Sequence, residues 1–250
     1  MSFDVGAEPY GRFMGRYSEP LAAAFVGLLG DGAGRRVLDV GCGPGALTAE
    51  LLKEFEAVTA VDPSESFVAA ARARFPQLDV QHAAAETLPF ERATFDVAAA
   101  QLVVNFMTDP VAGLVEMARV TRRNGLIAAS VWDHAGGTGP LSVFWQAAHD
   151  VDPHVKDESG LAGAREGQLA ELFDRAGLHD VESGVLTVHV ECATFDDWWQ
   201  PFTFGVGPAG AHVLGLSDEQ RQTLQDRCAE ILPRAPFEIA ASAWFALGRV

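Results

Sequence analysis

The stretch VLDVGCGPGALT, residues 37–48, constrains the fold more than any other part of the chain. Val37, Leu38 and Val40 form a short apolar run of the kind buried in a parallel sheet, and glycines follow at 41, 43 and 45. Positions 47, 51, 52 and 55 then carry apolar side chains at helical spacing. A strand that turns through glycines into a helix opens a doubly wound α/β sheet. The turn is also a ligand loop, because glycine takes positive φ and lets the backbone come close to a bound group.

The same alternation continues downstream. AVTAVD (57–62), LDVQHA (78–83), FDVAAAQLVV (95–104, running into a loop or short helix) and GLIAASVW (125–132) read as strands. Between them, 63–75 begins with Pro63 and Ser64 as a helix start, and 109–121 is a second helical pattern. This rhythm predicts a parallel sheet covered on both faces, with ligands at the carboxyl ends of its strands. Past Trp132 the rhythm breaks into a Gly-rich loop (133–140), helices over 141–151 and 165–177, a strand over 184–195, a polar helix over 217–232 and a final strand over 237–250. These read as additions to one sheet. The expected organisation is a single domain over 1–250, with lid helices in 1–30, a ligand-binding core in 35–133 and substrate-cap insertions in 134–165 and 194–236.

Charge narrows the partners. Eighteen basic residues against 34 acidic ones leave a net charge of −16, a field that repels nucleic acid and anionic membrane. The densest basic cluster, Arg119, Arg122 and Arg123, is too small to reverse it. Cys42, Cys192 and Cys228 match neither a disulfide framework nor a zinc site, and His149, Asp150, Asp152 and His154 have no metal-motif spacing. The N-terminus lacks a basic n-region and an apolar h-region, and no run reaches the ~18 apolar residues of a spanning helix. The expectation is a soluble, cytoplasmic protein with a small-molecule substrate.

Gly41, Gly43 and Ala46 fit the dinucleotide pattern G-x-G-x-x-G/A, so the loop alone could serve a pyrophosphate. Asp39 argues otherwise. A carboxylate two residues before the first glycine repels a pyrophosphate but suits an ammonium group, and S-adenosylmethionine has an ammonium, a carboxylate, a sulfonium and no phosphate. Asp62 closes the second strand where a carboxylate accepts hydrogen bonds from ribose hydroxyls, a position shared by NAD sites and open also to a helix-capping role ahead of Pro63. The loop AAAETLPF (83–90) can lay Ala85 beside an adenine.

Taken together, VLDVGCGPGALT, VTAVDPS, AETLPF, FDVAAAQLVVNFMTDP and ARVTRRNGLIAASVWD resemble, in order and spacing over residues 35–133, the class I S-adenosylmethionine-dependent methyltransferases. The similarity is to the small-molecule branch that includes ubiquinone and menaquinone biosynthesis enzymes. The resemblance implies a Rossmann-like seven-stranded sheet of order 3-2-1-4-5-7-6 with the last strand antiparallel, 237–250 being strand seven. It implies S-adenosylmethionine as cofactor, held at its methionine end by Asp39 and Gly41, with Cys42 and Gly43 also among the cofactor-binding residues. Asp62 would hold the ribose, Pro63, Ala85 and Glu86 the adenine, and Gln101 and Leu102 would line the methyl-bearing side. Many relatives have Asp where this chain has Ala84, so Glu86 would take over the adenine amine contact. YGRFMGRYS (10–18) resembles the lid helix of relatives, with Arg16 on the methionine carboxylate and Tyr17 over the sulfonium; a plain docking helix is the alternative.

No catalytic residue stands out. His134 is a candidate base, with Asn105 and Gln101 nearby. Trp132, Phe144, Trp199 and Phe202, with Asn105 and His134, are the expected substrate pocket, suited to an apolar or aromatic molecule. Two other readings compete with methyl transfer: an NAD-dependent oxidoreductase, and a non-catalytic protein that binds S-adenosylmethionine or S-adenosylhomocysteine.

Overall fold

The structure, a computed structural model, describes residues 7–250. Positions 1–6 of the expected lid lie outside the described residues. The chain opens with a helix in three parts: α1 (Ala7–Tyr10), a π turn (Gly11–Gly15) and α2 (Arg16–Val26). The parallel half of the sheet follows as β1 (Arg36–Val40), α3 (Ala46–Glu54), β2 (Ala57–Asp62), α4 (Glu65–Arg74), β3 (Asp79–His82), β4 (Phe95–Gln101), α5 (Pro110–Val120) and β5 (Thr121–Trp132). A 3-10 turn, Val104–Phe106, follows β4. The second half holds α6 (Ser142–Val151), α7 (Gln168–Arg175), β6 (His179–Cys192), α8 (Phe195–Trp199), α9 (Gly207–Gly215), α10 (Asp218–Ile231) and β7 (Phe237–Arg249).

The seven strands lie in the order β3-β2-β1-β4-β5-β7-β6. Strands β3, β2, β1, β4 and β5 run parallel, and β7 enters antiparallel between β5 and β6. The expected topology is therefore the observed one. Alternation along β1 explains how the two faces are filled. Val37 faces Phe25, Leu47 and Leu51 of the α2/α3 layer, whereas Leu38 and Val40 face Leu114, Met117 and Phe173 of the α5/α7 layer. Asp39 shares the phase of Val37, so its carboxyl is turned toward α3. A third apolar cluster joins the lid helix to the elements after β5, with Trp198 and Phe144 fully buried in it.

Several boundaries differ from the sequence reading. β5 starts at Thr121 rather than 125, across a register shift between Phe95 and Val97 on β4. β6 begins at His179, and Phe195, read as the end of a strand, instead opens α8 under a Thr194 cap. α9, whose glycines at 207, 210 and 215 lower helix propensity, was not expected; it is held by burial of Ala209, Gly210 and Val213. Among the described residues no helix is long and apolar enough to cross a membrane.

Candidate active site

The carboxyl ends of β1, β2 and β4 surround a cleft of about 460 Å³. Its floor is the turn after β1. Gly41 has φ +71°, and a Cβ there would collide with the side chain of Val103. Gly43 has φ +53°, and its missing Cβ would meet no protein atom, so the cleft can bring a ligand directly onto this backbone. Gly43 N–H donates to Asp62 Oδ2 at 2.8 Å and Ser64 N–H to Asp62 Oδ1 at 2.8 Å, which fixes that carboxylate at the end of β2. Ser64, rather than Asp62, caps α4. His82 Nε2 bonds the carbonyl of Pro63 at 2.8 Å, pinning the loop where Pro63 and His82 both line the cleft.

Two buried carboxyls dominate the electrostatics. Asp39 is almost completely enclosed, accepts a 2.6 Å bond from Thr48 Oγ1, and is pushed up to about 7 by burial, with Asp62 adding to the rise. Asp62 is raised by burial as well, against the pull of its two backbone N–H donors. Burial also pushes up the Cys42 thiol, which faces the cleft as a neutral group. No lysine or arginine lines the cleft among the described residues. The start of α3, at Ala46 and Leu47, supplies the positive end of a helix instead.

These residues fit S-adenosylmethionine. Its ammonium would meet Asp39 and its carboxylate the α3 N-terminus, while Asp62 would take the ribose. Two polar atoms also stand ready: Gln101 Oε1 and Ser18 Oγ are buried on the cleft wall without a partner among the described residues. A pyrophosphate would have to sit against Asp39 with no cation to offset it.

Of the residues named from sequence, Asp39, Gly41, Cys42, Gly43, Asp62, Pro63, Gln101 and Leu102 come together on this cleft. Four do not. Arg16 turns away and clasps Asp197, with NH1 on its carbonyl at 2.9 Å and NH2 on Oδ2 at 3.1 Å. Tyr17 is buried in the apolar cluster above the sheet. Ala85 packs in the α5 layer against the space over Gly113. Glu86 is occupied by the N–H groups of Thr108 and Asp109, at 2.7 and 3.2 Å, which it holds ahead of α5. In place of Tyr17, the lid contributes Tyr10, which packs edge-on against Phe67 of α4 at 5.2 Å. Burial and the nearby Asp62 push the Tyr10 hydroxyl up to about 12. The motif quoted from sequence contained Tyr10; its place over the cleft did not show in the helical spacing.

A second, smaller cavity of about 40 Å³ lies beyond Tyr10, Leu102 and Phe106, which border both spaces. Asn105, Trp132 and His134 line it. Phe144, Trp199 and Phe202 do not; they are core. Phe144 stacks on Phe202 at 4.5 Å, and Trp199 lies within 6.0 Å of Phe202. Rings of that size gain more from burial against each other than from facing a cavity. Glu158 also lines the cavity, and nothing in its sequence neighbourhood, KDESG, marked it.

Comparison with known proteins agrees with this geometry. Residues 38–129 match the family model described as a methyltransferase domain. The chain is similar to the malonyl-[acyl-carrier protein] O-methyltransferase of Erwinia billingiae, with 34% identity over 113 residues, 45% of either chain. It is similar to the demethylmenaquinone methyltransferase of Beutenbergia cavernae, with 35% identity over 107 residues, 43% of this chain and 45% of that one. The chain thus spans less than half the length of either relative. Among solved structures, an N-methyltransferase of Haemonchus contortus in complex with S-adenosylhomocysteine superposes with TM-score 0.58 at 16% identity, over 92% of this chain and 52% of that one. Strand order, the paired carboxyls of the cleft and the matched segment converge: over residues 38–129 the chain carries a methyltransferase domain similar to those of S-adenosylmethionine-dependent methyltransferases.

Proposed function

We propose that the protein transfers the methyl group of S-adenosylmethionine to a small molecule whose reacting end enters the cavity beyond Tyr10, Leu102 and Phe106. The observation that carries this is the pairing of two spaces. A cleft built around Asp39 and Asp62 adjoins, across three shared side chains, a cavity with its own polar groups. When bound, the cofactor supplies an electrophilic methyl on a sulfonium. The chain's part is chiefly placement: in-line alignment of two bound reactants is worth effective molarities up to ~10⁵–10⁸ M. Asp39 and the α3 N-terminus orient the amino-acid end, Asp62 holds the sugar, and Tyr10 and Leu102 close the space between donor and acceptor. The lid helix and the segments 134–165 and 194–236 would serve as the cover that excludes water. Phe13, Met14, Phe106 and Trp132 give the cavity apolar walls, which favours an acceptor with an apolar or aromatic body.

Neither competing reading draws on a feature of this site. NAD would bring two phosphates against Asp39, and a purely binding protein has no use for the second cavity. Calorimetry with S-adenosylmethionine, S-adenosylhomocysteine and NAD tests the donor: the first two bind, NAD does not, and Asp62→Ala weakens binding at least tenfold. Binding of NAD in preference, or indifference to Asp62→Ala, would sink this assignment. A methyl-transfer screen over small metabolites with labelled cofactor then identifies the acceptor.

A further inference from the structure

The small cavity carries a polar set that the transfer of a methyl group to an arbitrary acceptor does not require. Glu158 is 4% exposed and lines it. Its Oε2 accepts from Trp145 Nε1 at 2.9 Å, and Oε1 has no protein partner among the described residues. Asn105 Oδ1 and Trp132 Nε1 are buried on the same walls, also without partners. An unpaired buried polar atom costs enough that such groups are normally matched by a ligand or water. Four of the five polar side chains here, Glu158, Asn105, His134 and Tyr10, carry acceptors, and no lysine or arginine lines the cavity among the described residues. The remaining walls include the rings of Tyr10, Phe13 and Phe106, and an aromatic face attracts a cation. The space, about 40 Å³, admits the reacting end of a molecule rather than its whole body.

Resting on the methyl-transfer reading, we propose that Glu158 receives the acceptor's proton, and that the acceptor presents an amine nitrogen to this cavity rather than a carboxylate or phosphate. The amine arrives as an ammonium ion paired with the Glu158 carboxylate and gives it one N–H proton. The freed nitrogen lone pair then forms the bond to the methyl carbon as the carbon–sulfur bond breaks, its electron pair staying on sulfur. The product leaves as a methylammonium ion, and Glu158 returns its proton to solvent. Burial, with Asp157 adding, pushes the Glu158 carboxyl up to about 7, which narrows the gap to an ammonium proton. The groups around it do not compete. His134 is held near 4 by burial and stays neutral. Asp157 is tied to Ser159 and His149, and His212, lowered by burial, lies against the Trp145 ring at 5.9 Å.

The test uses protein saturated with S-adenosylhomocysteine and three isosteric probes: phenethylamine, 2-phenylethanol and phenylacetate. Phenethylamine is expected to bind at least tenfold more tightly than either of the others. Its affinity should rise from pH 6 to pH 8 as Glu158 ionises. Glu158→Gln keeps the volume and an oxygen for Trp145, so it should bind S-adenosylhomocysteine as the wild type does, yet lose tenfold or more in amine affinity and show a flat pH profile. Equal or tighter binding of phenylacetate, absence of amine binding, or an unchanged amine affinity in Glu158→Gln would overturn the proposal. The wild-type selectivity decides the matter even where the variant folds poorly. Failure to bind S-adenosylhomocysteine at all would instead defeat the underlying methyl-transfer assignment, so the two failures are distinct.

Discussion

Asp39 sits on a central strand with its carboxyl buried and, among the described residues, only Thr48 donating to it, a costly arrangement for a charge. Its value, raised from 3.8 to about 7, has a definite sign for stability. The folded protein binds the Asp39 proton more tightly than the unfolded chain does, so folding stability falls as pH rises between about 4 and 7. A shift of about three units corresponds to roughly 4 kcal/mol at 1.36 kcal/mol per unit, given up at pH 8 to keep the charge. Asp39→Asn removes that cost. The ligand-free variant should melt above wild type at pH 8, with the difference shrinking toward pH 4, while S-adenosylhomocysteine affinity drops at least tenfold. A variant no more stable than wild type at pH 8 would show that the buried carboxyl carries no such penalty. Asp39 was legible in the sequence because it stands just ahead of the glycine turn that ends β1, and Asp62 because it closes β2 ahead of Pro63. Glu158 was not: its neighbours have no periodicity, and only tertiary packing under Trp145 buries it.

At the scale of elements the lid is the informative case. An α-helix advances about 100° per residue, so Tyr10 and Ser18, eight residues apart, would point about 80° away from each other. The π turn Gly11–Gly15 inserts one residue, which reduces the effective separation to seven and the offset to about 20°. Tyr10 and Ser18 therefore share the cleft wall, and Arg16 and Tyr17, at other phases of α2, face Asp197 and the apolar cluster. Regular helical spacing could not have revealed this, which is why the sequence pointed to Arg16 and Tyr17, whereas Tyr10 and Ser18 line the cleft. In the loop at 83–90, Glu86 satisfies the backbone donors of Thr108 and Asp109 rather than facing the cleft, a demand invisible locally. Arg16→Ala distinguishes the two roles. As a partly exposed tie to α8 it should cost about 0.2–1 kcal/mol of stability, and S-adenosylhomocysteine affinity should stay within about twofold of wild type. A tenfold loss of affinity would return Arg16 to the methionine carboxylate.

The whole molecule was more legible than its loops, because the strand order follows from apolar runs and crossover geometry that local errors do not disturb. Even a strand boundary misplaced by four residues, as at the start of β5, leaves Leu126 to Trp132 paired with β7 in register. The cleft sits where that architecture converges: it touches the ends of β1, β2 and β4, the starts of α3 and α4, and Tyr10 and Ser18 of the lid helix. A ligand there bridges segments from residue 10 to residue 106 and binds only when all of them are in place. Unfolding must then release it. At a free concentration one hundred times its dissociation constant, a ligand adds about 2.7 kcal/mol, and for a chain of this size each kcal/mol raises Tm by roughly 2–4 °C. S-adenosylhomocysteine should therefore raise the melting temperature by about 5–11 °C at that ratio, and Asp62→Ala, at least tenfold weaker, should lose about half of the gain or more at the same concentration. NAD at equal concentration should leave it unchanged. A gain from NAD as large as that from S-adenosylhomocysteine would mean that the turn after β1 accepts a pyrophosphate despite Asp39, and the electrostatic basis of the donor assignment would fail with it.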